Sequence, residues 1–121
     1  MRATAVPNMT INPAAKPNVR TPPCSSDDPY SRGAINDIDL VEINEAFAAQ
    51  VIPSAKHLGI DMDKLNIHGG GIALGHPFGM TGARIMTTLI NGLQTTGKTV
   101  GMESMCVGGG QGMAMIVERL S

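Results

Sequence analysis

From Ala34 onward the apolar residues fall into the repeats of regular structure, and before it they do not. Asp39-Leu40-Val41-Glu42-Ile43-Asn44 has the length and apolar content of a short strand. Residues 45–58 carry Phe47, Val51, Ala55 and Leu58 at about 3.6-residue spacing, which predicts a helix with one face in the core. Pro53 lies inside that helix and is expected to kink or divide it. Asn66 to His68 reads as another short strand, running into a glycine-rich loop. The next helix spans about Thr81 to Thr95, with Ile85, Met86, Leu89, Ile90 and Leu93 as its apolar stripe. Thr99–Val107 and Gly112–Leu120 then form two strands joined through a glycine turn. The order β-α-β-α-β-β predicts an α/β fold, a mixed sheet with helices packed on it. No internal repeat interrupts this pattern.

Composition changes the picture for the first 33 residues. Six of the eight prolines (Pro7, Pro13, Pro17, Pro22, Pro23 and Pro29) lie there, among Asn, Thr, Ser and charged side chains. Proline removes amide donors and restricts its predecessor, so neither a helix nor an inner strand is expected. With few large apolar side chains to bury, this segment cannot offset its ordering entropy. Residues 1–33 therefore read as a disordered or loosely attached tail, and 34–121 as one folded domain.

Charge excludes several classes of partner. A formal net charge of −1 offers no electrostatic footprint for nucleic acid or an anionic membrane. With one Tyr, two Phe and no Trp, there is no surface for stacking bases. No apolar run approaches the roughly 20 residues of a membrane span, and the start of the chain lacks the apolar block of a secretory signal. Two cysteines in unlike surroundings do not make a disulfide framework, so a reducing cytoplasm is the expected compartment.

Three segments carry candidate chemistry. Asn66-Ile67-His68-Gly69-Gly70-Gly71-Ile72-Ala73-Leu74-Gly75-His76-Pro77-Phe78-Gly79 surrounds His76 with small residues, so that a large ligand can approach the backbone. Met105-Cys106-Val107-Gly108-Gly109-Gly110-Gln111-Gly112 places a thiol in similar surroundings. Glu42-Ile43-Asn44-Glu45-Ala46-Phe47 adds a polar group where a strand gives way to a helix. A thiol and an imidazole on separate glycine-lined loops suit acyl chemistry on a thioester or carbonyl. Taken singly, each has a plainer reading. His76 alone reads as a loop histidine, Cys106 as a small buried apolar residue, and Asn44 as a helix N-cap. Phe47 reads as a core residue. Glu45 either orients the site or favours the helix N-terminus electrostatically. A metal site from His68, His76 and Cys106 has no supporting ligand spacing, and Gly69-x-Gly71-x-x-x-Gly75 is a weak match to a dinucleotide fingerprint.

Together, in this order, the three segments resemble the C-terminal half of a thiolase: an Asn-Glu-Ala-Phe box, a glycine-rich loop ending in Gly-His-Pro, and Cys-x-Gly-Gly-Gly-Gln-Gly. The resemblance covers about Ala34 to Leu120. It implies one half of a thiolase-like fold and a place in fatty acid metabolism. The implied reaction is thiolysis of a 3-ketoacyl-CoA, or its reverse Claisen condensation, through a cysteine acyl-enzyme. Coenzyme A is then a substrate carrier, and no metal or redox cofactor is implied. The roles carried over are nucleophile activation and thioester-oxygen binding for His76, general acid/base for Cys106, and oxyanion stabilisation for Asn44 and the Gly108 amide. Ala46 and Phe47 would border the acyl-CoA. His68 departs from the commonest family wording, which has Asn before the first two glycines.

The thiolase nucleophile belongs to the other half of the family fold. Cys24-Ser25-Ser26 echoes the wording around it, but lies only twenty residues before Asn44 and among prolines and aspartates, and so reads as a chance match. The expectation is that the chain alone does not turn over, and that it joins a thiolase N-terminal half or a second copy of itself. Two rivals stand beside this reading. One is a non-catalytic thiolase remnant or assembly module. The other is a ketoacyl-synthase type of condensing enzyme, although those pair their cysteine with two histidines.

Overall fold

The mixed α/β architecture expected from the periodicities is present in the computed structural model, which describes residues 2–5, 9–10 and 35–120. In chain order the elements are β1 (Arg2–Ala5), β2 (Met9–Thr10), β3 (Leu40–Ile43), α1 (Ala48–Leu58), α2 (Gly71–Leu74), α3 (Thr81–Thr96), β4 (Val100–Gly108) and β5 (Gln111–Glu118). Single 3-10 turns occupy Ile35–Asp37 and Met62–Lys64.

All four residues of β3 are buried, because a helix covers each face of the sheet there. Side chains alternate across a strand. Val41 and Ile43 pack on the α1 side with Val51, Ala55, Ile60 and Leu65, whereas Leu40 packs on the α3 side with Leu89, Leu93 and Val117. β3 pairs in parallel with β4, from Leu40 opposite Gly101 to Ile43 opposite Ser104. β4 turns back antiparallel into β5. Gly109 and Gly110, the two residues between those strands, have φ of 59° and 74°. Two consecutive positive φ values are what a tight type I′ hairpin demands, and only glycine adopts them without strain. Asp39 fixes the start of β4: one carboxylate oxygen accepts the Thr99 and Val100 amides at 3.0 and 2.9 Å. Those bonds, led by Val100, hold its carboxyl below the usual carboxylate range.

The other edge of β3 is closed by one residue. Asn66 donates its own amide to the Val41 carbonyl at 2.8 Å. Its side chain takes both backbone groups of Ile43, with Oδ1 accepting the N–H at 2.9 Å and Nδ2 donating to the carbonyl at 3.0 Å. A side-chain amide here does the work of a strand. The strand expected over Asn66–His68 accordingly does not form. Asn66 has φ +48°, outside the extended region, and only Leu65 makes a bridge, to Val41.

Expectations for the first helix also need correction. The first helix begins at Ala48 rather than Glu45, so Asn44 is no N-cap; the cap position is Phe47, which makes no side-chain cap bond. Phe47 is 74 % exposed and Leu58 half exposed, so only Val51 and Ala55 of the expected stripe are buried. Pro53 does not divide α1, which runs unbroken through it. The second helix follows its expected stripe, with Ile85, Leu89 and Leu93 buried. The tail expected over residues 1–33 lies outside the described residues apart from β1 and β2, two short strands the sequence reading did not place. Both pair antiparallel with β5 on the side away from β4, an edge position that proline-rich flanks permit.

One buried charge stands apart from the apolar layers. Glu42, 2 % exposed, faces α3, where the Arg84 guanidinium lies 3.5 Å from its Oε2. Neither that oxygen nor any guanidinium nitrogen has a protein hydrogen-bond partner. Glu103, its neighbour across the β3–β4 ladder, adds like charge from β4, and Glu45 does so from the following loop. Desolvation outweighs the arginine, and the Glu42 carboxyl is pushed up to about 7. Burial raises Glu103 in the same direction. A carboxyl raised in the folded state binds its proton more tightly there than in the unfolded chain. Stability therefore falls as pH rises from about 4.5 to about 7 and levels off above, by up to about 3 kcal/mol for Glu42. Urea denaturation midpoints should drop between pH 5 and pH 7.5, and Glu42→Gln should remove most of that slope. A midpoint flat or rising across this window in the unsubstituted chain contradicts the assignment.

Candidate active site

The parallel β3–β4 ladder brings two of the singled-out residues to the same end of the sheet. Asn44 continues β3 by donating its amide to the Ser104 carbonyl at 2.9 Å, and Cys106 lies two residues further along β4. A register shift between Cys106 and Gly108 breaks the β4–β5 ladder there, as bulges beside functional sites often do. The N-terminus of α3 reaches the same end of the sheet and carries His76 on the loop before it.

His76 is held from both sides. Its Nε2 lies 3.2 Å from Asn44 Nδ2, and its Nδ1 lies 2.6 Å from Thr81 Oγ1. Thr81 and Asn44 are each 1 % exposed. The directions of these bonds follow from donor counting. Thr81 gives its one proton to the Pro77 carbonyl at 3.0 Å, so it can only accept from Nδ1. The amide nitrogen of Asn44 can only donate, so Nε2 must accept. With the Asn44 amide so oriented, these contacts match the tautomer with its proton on Nδ1 and a lone pair on Nε2. Asn44 Oδ1 is buried without a protein partner.

His76, Cys106, Gly108, Ala46 and Phe47 all line one cleft of about 670 Å³, together with Phe78, Met105 and Val107. Asn44 sits behind His76 rather than in the cleft wall. Cys106 is exposed and is the only cysteine among the described residues; Cys24 lies outside them. The Phe78 ring packs edge-on to His76 at 5.0 Å and is itself 86 % exposed, so with Phe47 it makes an aromatic rim. His68 is exposed and does not line this cleft. No group of three metal-ligating side chains occurs among the described residues, and none of their helices is long and apolar enough to cross a membrane.

Sequence reasoning passed over Thr81 and Phe78. A hydroxyl on the first residue of the predicted helix, five residues after a histidine, was the available signal for Thr81. It also read the glycine run as room for a ligand. At Gly70 and Gly71 that room is taken by the protein: a Cβ on Gly70 would fall on the Glu45 carboxyl group, and one on Gly71 would lie 3.3 Å from Asn44 Oδ1.

Comparison with known proteins places this arrangement in a wider context. Residues 29–119 match the family model described as thiolase, C-terminal domain. Acetyl-CoA acetyltransferase of Escherichia coli is 56% identical over 85 residues, 70% of this chain and 22% of that protein. A 3-ketoacyl-CoA thiolase of Shewanella loihica is 56% identical over 88 residues, 70% of this chain and 23% of its own length. The crystal structure of Bacillus anthracis acetyl-CoA acetyltransferase superposes with a TM-score of 0.72 at 48% identity, covering 75% of this chain and 23% of that one. The chain thus spans under a quarter of the length of the relatives it matches.

The hydrogen-bond chain through His76 makes a spectroscopic prediction. Thr81→Val keeps the shape and removes the acceptor for Nδ1–H. The two ring-nitrogen shifts of His76, well separated in a fixed tautomer, should converge. Stability should fall by about 0.5–1.5 kcal/mol for the hydrogen bonds lost to the half-buried imidazole and the Pro77 carbonyl. Unchanged ¹⁵N shifts would show that Thr81 does not set the tautomer.

Proposed function

The chain belongs to the thiolase family, through its C-terminal domain, and we propose that it serves acyl transfer between coenzyme A thioesters: thiolysis of a 3-ketoacyl-CoA, or the reverse condensation. The observation that carries the reading is the single cleft shared by the His76 imidazole and the Cys106 thiol. A cysteine thiolate attacks the 3-keto carbon, the C2–C3 bond breaks, and its electron pair passes to C2 as the enolate of acetyl-CoA. Cys106 then protonates C2. Afterwards its thiolate takes the proton of an incoming CoA thiol, which attacks the acyl thioester and releases the nucleophile. A thiol fits both steps, because its ordinary pKa of about 8.5 lies near operating pH.

His76 would activate the nucleophile. The lone pair on Nε2 suits a base, and after accepting the proton the same nitrogen becomes a donor toward the substrate oxygen. Asn44 and the Gly108 amide would complete the oxyanion stabilisation, where oriented donors gain most from a water-poor site. Ala46 and Phe47, on the cleft wall, would border the acyl-CoA.

With Cys106 as the acid/base, the acyl-accepting thiol comes from elsewhere. A thiolase N-terminal half, or another subunit of an oligomer, would supply it, and the exposed rings of Phe47 and Phe78 beside the cleft favour such a cover. We place the reaction in fatty acid metabolism and in a reducing cytoplasm, where Cys106 stays a thiol.

A chimera tests the reading directly. Residues 34–121 replace the matching segment of the Escherichia coli relative, and cleavage of acetoacetyl-CoA is followed. The chimera should turn over, and Cys106→Ser or His76→Ala should each lower kcat by about 10²–10⁴-fold. The chain alone should not turn over. A folded chimera whose rate ignores Cys106→Ser sinks the assignment, as does saturable, CoA-dependent cleavage by the isolated chain.

A further inference from the structure

We infer that Glu45 is a positioning residue for His76 and Asn44: its carboxylate clamps the start of α2 to the end of β3 and so fixes the imidazole carried beyond the other end of that helix. The inference rests on the reading of His76 as the activating base, and it deepens that reading. Glu45 Oε1 accepts from Asn66 Nδ2 at 2.9 Å, and Oε2 accepts the Ile72 amide at 3.0 Å. Asn66 is the residue that closes the edge of β3 at Ile43. One carboxylate therefore ties the residue holding β3 to the first turn of α2.

What α2 lacks explains why this matters. It has four residues, too few to hold together without tertiary support, and its cap residue, Gly70, offers no side chain. A negative group at its N-terminus meets amides that nothing within the helix satisfies. Two residues past its last one stands His76, so the helix is a short rigid spacer between Glu45 and the imidazole. Asn44, whose Nδ2 faces Nε2, is the chain neighbour of Glu45. The pair that must meet at His76 is thus fixed from a single carboxylate.

Glu45 does not line the cleft with His76 and Cys106. It lines a smaller one, of about 260 Å³, beside Ile72 and Asn66. It is therefore out of place as a reacting acid and in place as a brace. The bare Cα of Gly70 belongs to the same device, since a methyl group there would overlap the carboxyl group.

The test uses the full chain and needs no turnover. The His76 ring-nitrogen shifts are followed by NMR, alongside thermal melting, in Glu45→Ala, Glu45→Gln, Gly70→Ala and the Glu45→Ala/Gly70→Ala double variant. Glu45→Ala should narrow the separation between the two His76 ring-nitrogen shifts, as its tautomer loosens. Gly70→Ala, by evicting the carboxylate, should move it in the same direction. The double variant should be no worse than Glu45→Ala alone, because the clash has gone. Glu45→Gln keeps one acceptor oxygen where two were used, and should fall between the unsubstituted chain and Glu45→Ala. If Glu45→Ala does not fold, the size of the His76 shift in Glu45→Gln decides. His76 signals indifferent to Glu45 overturn the inference, as does a Gly70→Ala penalty of equal size with and without Glu45. An inactive chimera alongside these coupled shifts would reject the acyl-transfer reading while leaving the brace in place.

Discussion

Everything at the candidate site depends on β3 being buried on both faces and paired on both edges. α1 and α3 sandwich it, β4 runs parallel on one side, and Asn66 satisfies the other. A strand so enclosed has no freedom to slip, because a one-residue shift would drive Glu42 into the apolar layer under α1 and Val41 toward Arg84. Its last residue therefore delivers Asn44 and Glu45 to a fixed place. The carboxyl end of two parallel strands is where open α/β sheets commonly gather their ligand-binding groups. Here the same end collects Asn44, Cys106 and the N-terminus of α3.

Apolar and polar interactions divide the labour. The Val, Ile and Leu side chains around β3 set which elements meet, and they tolerate small changes in angle. The site is trimmed by directional bonds instead: Asn66 on Ile43, Glu45 on Asn66 and Ile72, Thr81 on His76 and Pro77. The Glu42–Arg84 contact is neither apolar nor a hydrogen bond, yet it too links the elements of the site. It joins β3 two residues before Asn44 to α3 three residues after Thr81, the two elements from which His76 is held. Breaking one member of a buried pair leaves the other uncompensated, so such contacts fix geometry even where they add little net stability.

How much of this was legible in the sequence depended on whether a residue's role was local. The α3 stripe, the hairpin after Cys106 and the β3 block were readable because periodicity and glycine placement belong to the segment itself. His76, Cys106, Gly108, Ala46 and Phe47 all line one cleft. The core reading of Phe47 and the cap alternative for Asn44 failed for one reason: helical spacing was extended backward over a loop. Asn66 read as a strand residue, whereas its contribution comes from its side chain acting on Ile43, 23 residues away. Glu45 stood as one of two alternatives, and its partners Asn66 and Ile72 lie 21 and 27 residues on. No local pattern encodes such pairings. The glycine run was visible, but which neighbour forbids a side chain at Gly70 was not.

The orphan oxygen of Asn44 carries a last consequence. While Nε2 of His76 is unprotonated, the amide must present nitrogen to it; once Nε2 gains a proton, it needs an oxygen opposite. Thr81 cannot supply one, since its hydroxyl is committed to Nδ1 and Pro77. A half-turn of the Asn44 amide about its terminal torsion swaps Nδ2 for Oδ1 and resolves the mismatch. With no substrate oxygen in reach, the charge state of the imidazole and the orientation of the amide are therefore coupled: a proton on Nε2 favours the turned amide.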